Sequence, residues 1–134
     1  MIYTKRKSGA YVPPPGSVYV GRPTRWGNPY NLENYTSEEV KVLYREYLSS
    51  KDKSYTNPLR RKKLVCWCKD KPNSLTYCHS EDLFTRANGL AHNPWEIGRL
   101  MVSQGSTIHQ AEEYVLNTLK AIHQEWKEEK KWLK

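Results

Sequence analysis

The sequence lacks the features that define several large classes of protein. It has no apolar run approaching about 18 residues, so nothing in it predicts a membrane-spanning helix. The amino terminus is basic, but no apolar segment follows it as a secretory signal requires. The three cysteines are an odd number crowded into residues 66–78, which argues against a disulfide framework and for reduced thiols. We therefore expect a cytoplasmic protein with no membrane partner.

Common catalytic signatures are also missing. There is no glycine-rich phosphate-binding loop, no HExxH and no GxSxG, so the familiar hydrolase templates do not apply. Hydrophobic residues are scarce at 37%, and one phenylalanine stands beside ten tyrosines and five tryptophans. A chain of 134 residues with this composition predicts one domain, whose small core depends on aromatic side chains.

Positive charge is what the sequence has in excess. The net charge is +8 and the isoelectric point is near 9.4. This balance favours a polyanionic partner, with a nucleotide, DNA or RNA first among the candidates. The densest run, Arg60–Lys63, leaves two alternatives open, which are contact with phosphate and a merely solvated face.

The order of the patterns predicts an α/β fold with a small parallel-type sheet, flanking helices and a long C-terminal helical extension. Residues 1–16 are interpreted as a basic flexible arm, residues 17–88 as the α/β core, and residues 89–134 as an extension packed on the same domain. The last periodic segment, to Trp132, would span about 39 Å as a helix. We expect part of it to overhang or to dock a second copy, which would make a homodimer.

The first informative loop, Gly21–Tyr30, follows the predicted strand Ser17–Val20. Fork-shaped donors suit phosphate and a flat ring suits a base, so this loop is predicted to hold a nucleotide. The predicted phosphate or sugar ligands are Arg22, Arg25 and Asn28. Trp26 is predicted to stack on the base. In the alternative interpretation the tryptophan covers the core and the arginines are solvated.

The second informative stretch contains all three cysteines. The predicted strand Leu64–Cys68 leads into the loop Lys69–Thr76 and then to Cys78 and His79. Ser80 is predicted to cap a helix over residues 80–88, with two carboxylates in its first turn, Glu81 and Asp82. Strands joined by a helical crossover are normally parallel neighbours, so the loops that follow them leave the same sheet edge. We expect both loops to share one cleft.

Three interpretations of the cysteine and histidine cluster stay open. In the first, the residues bind a metal, with zinc as the candidate cofactor and Cys66, Cys68, Cys78 and His79 as its ligands. In the second, Cys78 is a nucleophile at a helix N-terminus, His79 is its acid or base, and Glu81 or Asp82 orients the histidine or activates water. In the third, the thiols are small core side chains and His79 caps the helix.

Four segments together resemble a family known as domain of unknown function 4326, found in bacteria and their phages. They are Val18–Pro23, Trp26–Tyr30, Leu64–Cys68 and Cys78–Leu83, and the resemblance covers about residues 17–87. This chain departs from the pattern at Ser80, where the family has glycine, and in a longer loop before Cys78. The resemblance implies a bacterial or phage protein, in the host cytoplasm if phage-encoded, that works on nucleic acid. It implies no particular activity.

The sequence therefore predicts a nucleotide- or nucleic-acid-binding α/β enzyme. Its substrate ligands would be Arg22, Arg25, Trp26 and Asn28, and the residues nearest a hydrolysis or transfer reaction would be Cys78, His79 and Asp82. The alternative is a non-enzymatic basic adaptor that binds nucleic acid and carries a structural zinc ion at the cysteine and histidine cluster.

Overall fold

A small parallel sheet organises the fold. The computed structural model describes residues 2–4, 16–22, 24–66 and 71–132. Its strands are β1 (Ile2–Thr4), β2 (Ser17–Tyr19) and β3 (Lys63–Cys66). Its helices are α1 (Ser37–Ser49), a 3-10 helix (Lys53–Leu59), α2 (His79–Ala87), α3 (Pro94–Ser103) and α4 (Ile108–Trp132). The predicted class, mixed α/β with a long C-terminal helix, is confirmed.

Strand β3 occupies the centre of the sheet, between β1 and β2. Both neighbours run parallel to it, with Val18 opposite Leu64 and Tyr19 opposite Val65. Leu64, Val65 and Cys66 are all fully buried, as expected for a central parallel strand that is covered on both faces. The predicted pairing of the two core strands is therefore confirmed. The described part of β3 ends at Cys66, and residues 67–70 lie outside the described residues.

Strand β1 lies within residues 1–16, the segment that the sequence analysis interprets as an arm. Ile2–Thr4 pair with Leu64–Cys66 and so complete the sheet. The physical reason is that an isoleucine, a tyrosine and a threonine in succession suit a pleated sheet, and a buried central strand needs hydrogen-bond partners on both sides. Residues 5–15, with the rest of the predicted arm, lie outside the described part of the chain.

Local capping signals position the two helices that border the cleft. The predicted capping box of α1 is present, since Thr36 and Glu39 exchange side-chain-to-backbone hydrogen bonds of 3.0 and 3.2 Å. Helix α2 begins earlier than predicted, because Cys78 and not Ser80 is its N-cap. The Glu81 carboxylate accepts the Cys78 N–H at 3.4 Å, which sets the helix start there. The helix ends at Asn88 and Gly89, as predicted, with Gly89 in the left-handed region at φ 62°.

Helices α3 and α4 pack on α2 and share its core. Trp95 is completely buried, and its ring meets that of Phe84 edge to face at 5.6 Å. Ala111, Val115 and Leu119 form the buried stripe of α4. Whether α4 also docks a second copy stays a prediction. Over the described residues, the helices are either too short or too polar to cross a bilayer.

Candidate functional site

A cleft of about 760 Å³ opens at the carboxyl end of β2, beside the start of α2. One wall is the loop 21–33 that follows β2, another is the first part of α1, and the floor is formed by residues 76–79. Four of the predicted site residues line it, namely Arg22, Asn28, Cys78 and His79. The two loops do lie on a common cleft, as the crossover rule predicted.

Arg22 is held at the mouth of the cleft by the backbone of its own loop. Its Nε donates to the Asn28 carbonyl at 2.9 Å, and its Nη2 donates to the Tyr30 carbonyl at 3.3 Å. These bonds fix the guanidinium, while its remaining donors make no hydrogen bond within the described residues. A pre-oriented cation with spare parallel donors suits a phosphate or carboxylate.

Two glycines allow this loop to fold so closely. A Cβ on Gly21 would lie 2.4 Å from the Tyr19 hydroxyl oxygen, and that hydroxyl donates to the Arg22 carbonyl at 3.0 Å. A Cβ on Gly27 would lie 3.2 Å from the Arg22 backbone nitrogen. The Tyr19 ring packed against Gly21 and the Arg22 backbone packed against Gly27, and not unusual dihedral angles, therefore explain the two glycines.

Asn28 braces the far side of the loop and faces the cleft. Its Oδ1 accepts the Tyr30 N–H at 2.9 Å in an Asx turn, and the residue is 9% exposed. Its amide nitrogen makes no hydrogen bond to the residues that the structure describes. The side chain can therefore offer that N–H to a ligand.

Cys78 and His79 form a thiol–imidazole pair at the start of α2. The Cys78 sulfur lies 3.7 Å from His79 Nδ1, and His79 Nε2 lies 2.7 Å from the Val20 carbonyl oxygen. Because a carbonyl can only accept, Nε2 carries the proton, and in the neutral ring Nδ1 is an acceptor facing the thiol. Burial lowers the pKa of His79, against the opposing effect of its bond to Val20, so the ring is neutral near pH 7.

A second thiol lies directly behind this pair. Cys66, at the end of β3, places its sulfur 3.0 Å from that of Cys78. The Ser80 hydroxyl donates to the Cys78 sulfur at 3.0 Å and lies 3.4 Å from the Cys66 sulfur. Within residues 2–4, 16–22, 24–66 and 71–132, no three His, Cys, Asp or Glu side chains are grouped as metal ligands would be. Cys68, the fourth member of the predicted zinc set, lies outside the described residues.

The structure separates Arg25 and Trp26 from the cleft. Trp26 is 7% exposed and packs against Tyr55, with ring centroids 5.1 Å apart. The Arg25 guanidinium lies 4.1 Å above the Trp26 ring and donates to the Tyr55 carbonyl at 3.1 Å. Neither residue lines the cleft. This half of the loop therefore attaches to the 3-10 helix, and the tryptophan offers no open face for a base.

Asp82 belongs to an ion-pair network and does not line the cleft. Its Oδ2 accepts the Tyr77 hydroxyl at 2.5 Å, and its Oδ1 accepts Arg45 Nε at 3.1 Å. Burial raises the pKa of Asp82, although the Tyr77 and Arg45 bonds oppose that shift. The carboxylate predicted to orient His79 is thus bound elsewhere, and the carbonyl of Val20 holds the imidazole instead.

The sequence analysis missed the tyrosines and the carboxylate of the cleft. Tyr19, Tyr30 and Tyr77 supply aromatic surface to its walls, and Glu33 adds a carboxylate near the rim. The available signal was positional, since Tyr19 ends a strand and Tyr77 directly precedes the cysteine of the helix cap.

The fold and the site define a mixed α/β protein with a thiol–imidazole pair in a cleft at a sheet edge. The chain belongs to the family described as Domain of unknown function (DUF4326), whose model matches residues 2–89. That match begins earlier than the resemblance in the sequence predicted and takes in β1. No curated protein and no solved structure matches the chain.

Proposed function

We propose that the cleft binds a nucleotide-type ligand and that Cys78, with His79 as its base, acts on that ligand as a nucleophile. The observation that carries the proposal is the placement of a fixed, partly unused arginine and a thiol–imidazole pair on one cleft. The enzyme would be a hydrolase or a transferase.

The charge of the cleft favours a ligand with a single phosphate. Among the described residues that line it, Arg22 is the only arginine or lysine, and Glu33 adds negative charge. The fork of Arg22 and the amide of Asn28 can bind one phosphate, whereas a triphosphate would bring more negative charge than one arginine balances. The net charge of +8 supports an anionic ligand in general.

Aromatic side chains supply surface for a base. Three tyrosines line the cleft among the residues that the structure describes, and the Tyr30 ring is itself braced edge to face by Tyr35 and Tyr47, with centroids 5.7 and 6.4 Å away. Stacking of a base on an aromatic ring is tolerant of base identity and is worth about 1–3 kcal/mol. The cleft volume of about 760 Å³ is also in the range of sites for small molecules and cofactors.

The chemistry follows from the hydrogen bonds of His79. With Nε2–H held by Val20, the neutral ring presents the Nδ1 lone pair to the thiol and can take its proton. The resulting thiolate lies at the N-terminus of α2, where the helix dipole stabilises negative charge. A nucleophile, a base and a third group that orients the base are the parts of a covalent mechanism.

Ligand-dependent melting tests the binding half of the proposal. A panel of nucleoside monophosphates should raise the melting temperature of the wild-type protein, and Arg22→Ala should weaken binding by about 10- to 100-fold, the worth of a charged hydrogen bond. Arg25→Ala is the matched control, since it removes the same charge from the same loop outside the cleft. An equal loss of affinity in both variants would mean that binding depends only on the overall charge of the protein, which would contradict the proposed site.

Substitution of the thiol tests the chemical half. In Cys78→Ser we expect ligand binding within about threefold of wild type and loss of turnover of any substrate the panel identifies. Metal analysis of the purified protein distinguishes the adaptor hypothesis. One tightly held zinc per chain, lost in Cys78→Ser, would favour a structural zinc site over a nucleophile.

A further inference from the structure

The thiols of Cys66 and Cys78 are held in contact by two rigid elements. Cys66 ends the central strand of the sheet, and Cys78 caps a helix that packs on the same strand. Their sulfurs are 3.0 Å apart, and the Ser80 hydroxyl bonds to one and lies within 3.4 Å of the other. A disulfide has sulfurs about 2.05 Å apart, so bond formation needs a movement of only about 1 Å.

The two thiols differ in their access to small molecules. Cys78 lines the cleft, whereas Cys66 is 0% exposed and lies behind it. Cys78 also has the base, because His79 Nδ1 faces its sulfur, and it has the stabilising helix N-terminus. Of the two thiols, Cys78 is therefore the one next to the cleft, although it is only 1% exposed, and Cys66 lies directly behind it.

We propose that Cys66 and Cys78 form a reversible disulfide by exchange with a low-molecular-weight disulfide such as oxidised glutathione. The Cys78 thiolate attacks one sulfur of the reagent, the reagent's S–S bond breaks, and one glutathione leaves as a thiol after taking up a proton. Cys66 then attacks the Cys78 sulfur of this mixed disulfide, its proton passing to the second departing glutathione. The two protein thiols are oxidised, and the small disulfide is reduced to two thiols.

This bond would remove the proposed nucleophile from the cleft. Cys78 cannot act on a ligand while its sulfur is bonded to Cys66, so the oxidation state of the small-thiol pool would control the site. That consequence rests on the proposed function, whereas formation of the bond does not. Cys78 is only 1% exposed, so we expect exchange to be slow.

Peptide mapping of the wild-type chain under non-reducing conditions tests the bond without any substitution. After equilibration in buffers of graded oxidised and reduced glutathione, we expect a peptide pair that joins Cys66 to Cys78, and its complete loss on reduction. Cys68→Ser should give the same pair at the same glutathione ratio. Cys66→Ser should stop at a glutathione adduct on Cys78, because no second thiol is there to displace it.

Three results would overturn the proposal. They are a link that includes Cys68, a glutathione adduct as the end product in the wild-type chain, and cysteines that stay reduced at every ratio.

The effect of the disulfide on the proposed function is measured separately. A bound nucleoside monophosphate should slow exchange several-fold, and oxidised protein should lose turnover. If only these last two measurements fail, the result counts against the proposed function, and the proposal that Cys66 and Cys78 form a disulfide still stands.

Discussion

The first turn of α2 has two sides that use polar residues in different ways. On one side, Cys78 and His79 line the cleft, and the imidazole has one fixed partner, the Val20 carbonyl. On the other side, Glu81 is 0% exposed and pairs in a bidentate manner with Arg99, at 2.5 and 3.0 Å. Asp82 is bound by a tyrosine and an arginine.

The two sides differ in how far their polar groups are already satisfied: the charged groups of the network bond to one another, whereas the cleft side keeps a group available for chemistry. In the network of Glu81, Asp82, Glu96, Arg45 and Arg99, each of the charged groups bonds to at least one other member, so little capacity remains for a ligand. The cleft side leaves one acceptor, Nδ1, directed at a thiol. Perturbed pKa values occur on both sides, so a shift alone does not identify the functional one.

The largest effect is expected from breaking the network. Glu81→Gln removes the completely buried carboxylate that pairs with Arg99 and leaves that guanidinium, which is 22% exposed, with Glu96 as its remaining partner in the network. It should lower the free energy of unfolding by about 3 kcal/mol in urea denaturation. Glu38→Gln is the control, because that carboxylate is 81% exposed and its pair with Lys41 should contribute less than about 0.5 kcal/mol. Similar losses of unfolding free energy in both variants would show that the buried ion pair stabilises the protein no more than the exposed one.

A smaller loss is expected from removing one hydroxyl that bonds to the network and one that bonds to the cleft loop. Tyr77→Phe deletes the donor to the Asp82 carboxylate and should cost about 1.5 kcal/mol of unfolding free energy, since a bond to a charged group is lost. Tyr19→Phe deletes an exposed donor to the Arg22 carbonyl and should cost less than about 1 kcal/mol. Both losses are measured by urea denaturation. A larger loss in Tyr19→Phe than in Tyr77→Phe would mean that the hydroxyl bond in the cleft loop contributes more to stability than the one in the network.

The pH dependence of stability separates the two sides. The pKa of His79 is lowered by burial from 6.5, so the unfolded chain binds the proton more readily below that pH. Stability should fall as the pH drops from about 6.5 through the folded-state pKa, by at most about 1.4 kcal/mol per pH unit. His79→Gln, which keeps a donor for Val20, should flatten this region.

The network has its own pH window. Burial tends to raise the pKa of Glu96, but hydrogen bonds from Arg45 and Arg99 lower it from 4.5 to about 2. The stability it contributes is present above pH 4.5 and is lost as the pH falls towards 2. Glu96→Gln should flatten that window and leave the one near pH 6.5 unchanged, and urea midpoints across pH check both. An altered slope near pH 6.5 in Glu96→Gln would mean that the two sides titrate together.

Local pattern and the crossover rule predicted the position of the cleft. The strand, helix and strand of the core require parallel neighbours, and this brought Arg22 and Asn28 to the same edge as Cys78 and His79. These inferences worked because they depend on chain direction and on short-range signals.

The direction of individual side chains could not be predicted in the same way. Trp26 and Arg22 belong to one loop, but only contact with the 3-10 helix decides that the tryptophan is buried. Asp82 is bound by Arg45 from α1, which lies 37 residues away in the chain. Helix α2 begins at Cys78 because the Glu81 carboxylate accepts the Cys78 N–H. Ser80, which the sequence also offered as a cap, therefore lies inside the helix.

The pairing of Arg99 with Glu81 has a consequence for truncation. Arg99 lies in α3, beyond residue 89 where the family match ends, whereas its partner lies inside that match. Cutting the chain after residue 89 would remove the cation that pairs with Glu81, a side chain that is completely buried in the whole chain, and would remove the Trp95 ring that packs on Phe84. We therefore expect the matched segment alone to be less stable than the whole chain, and a fragment for expression should keep the helices that follow it.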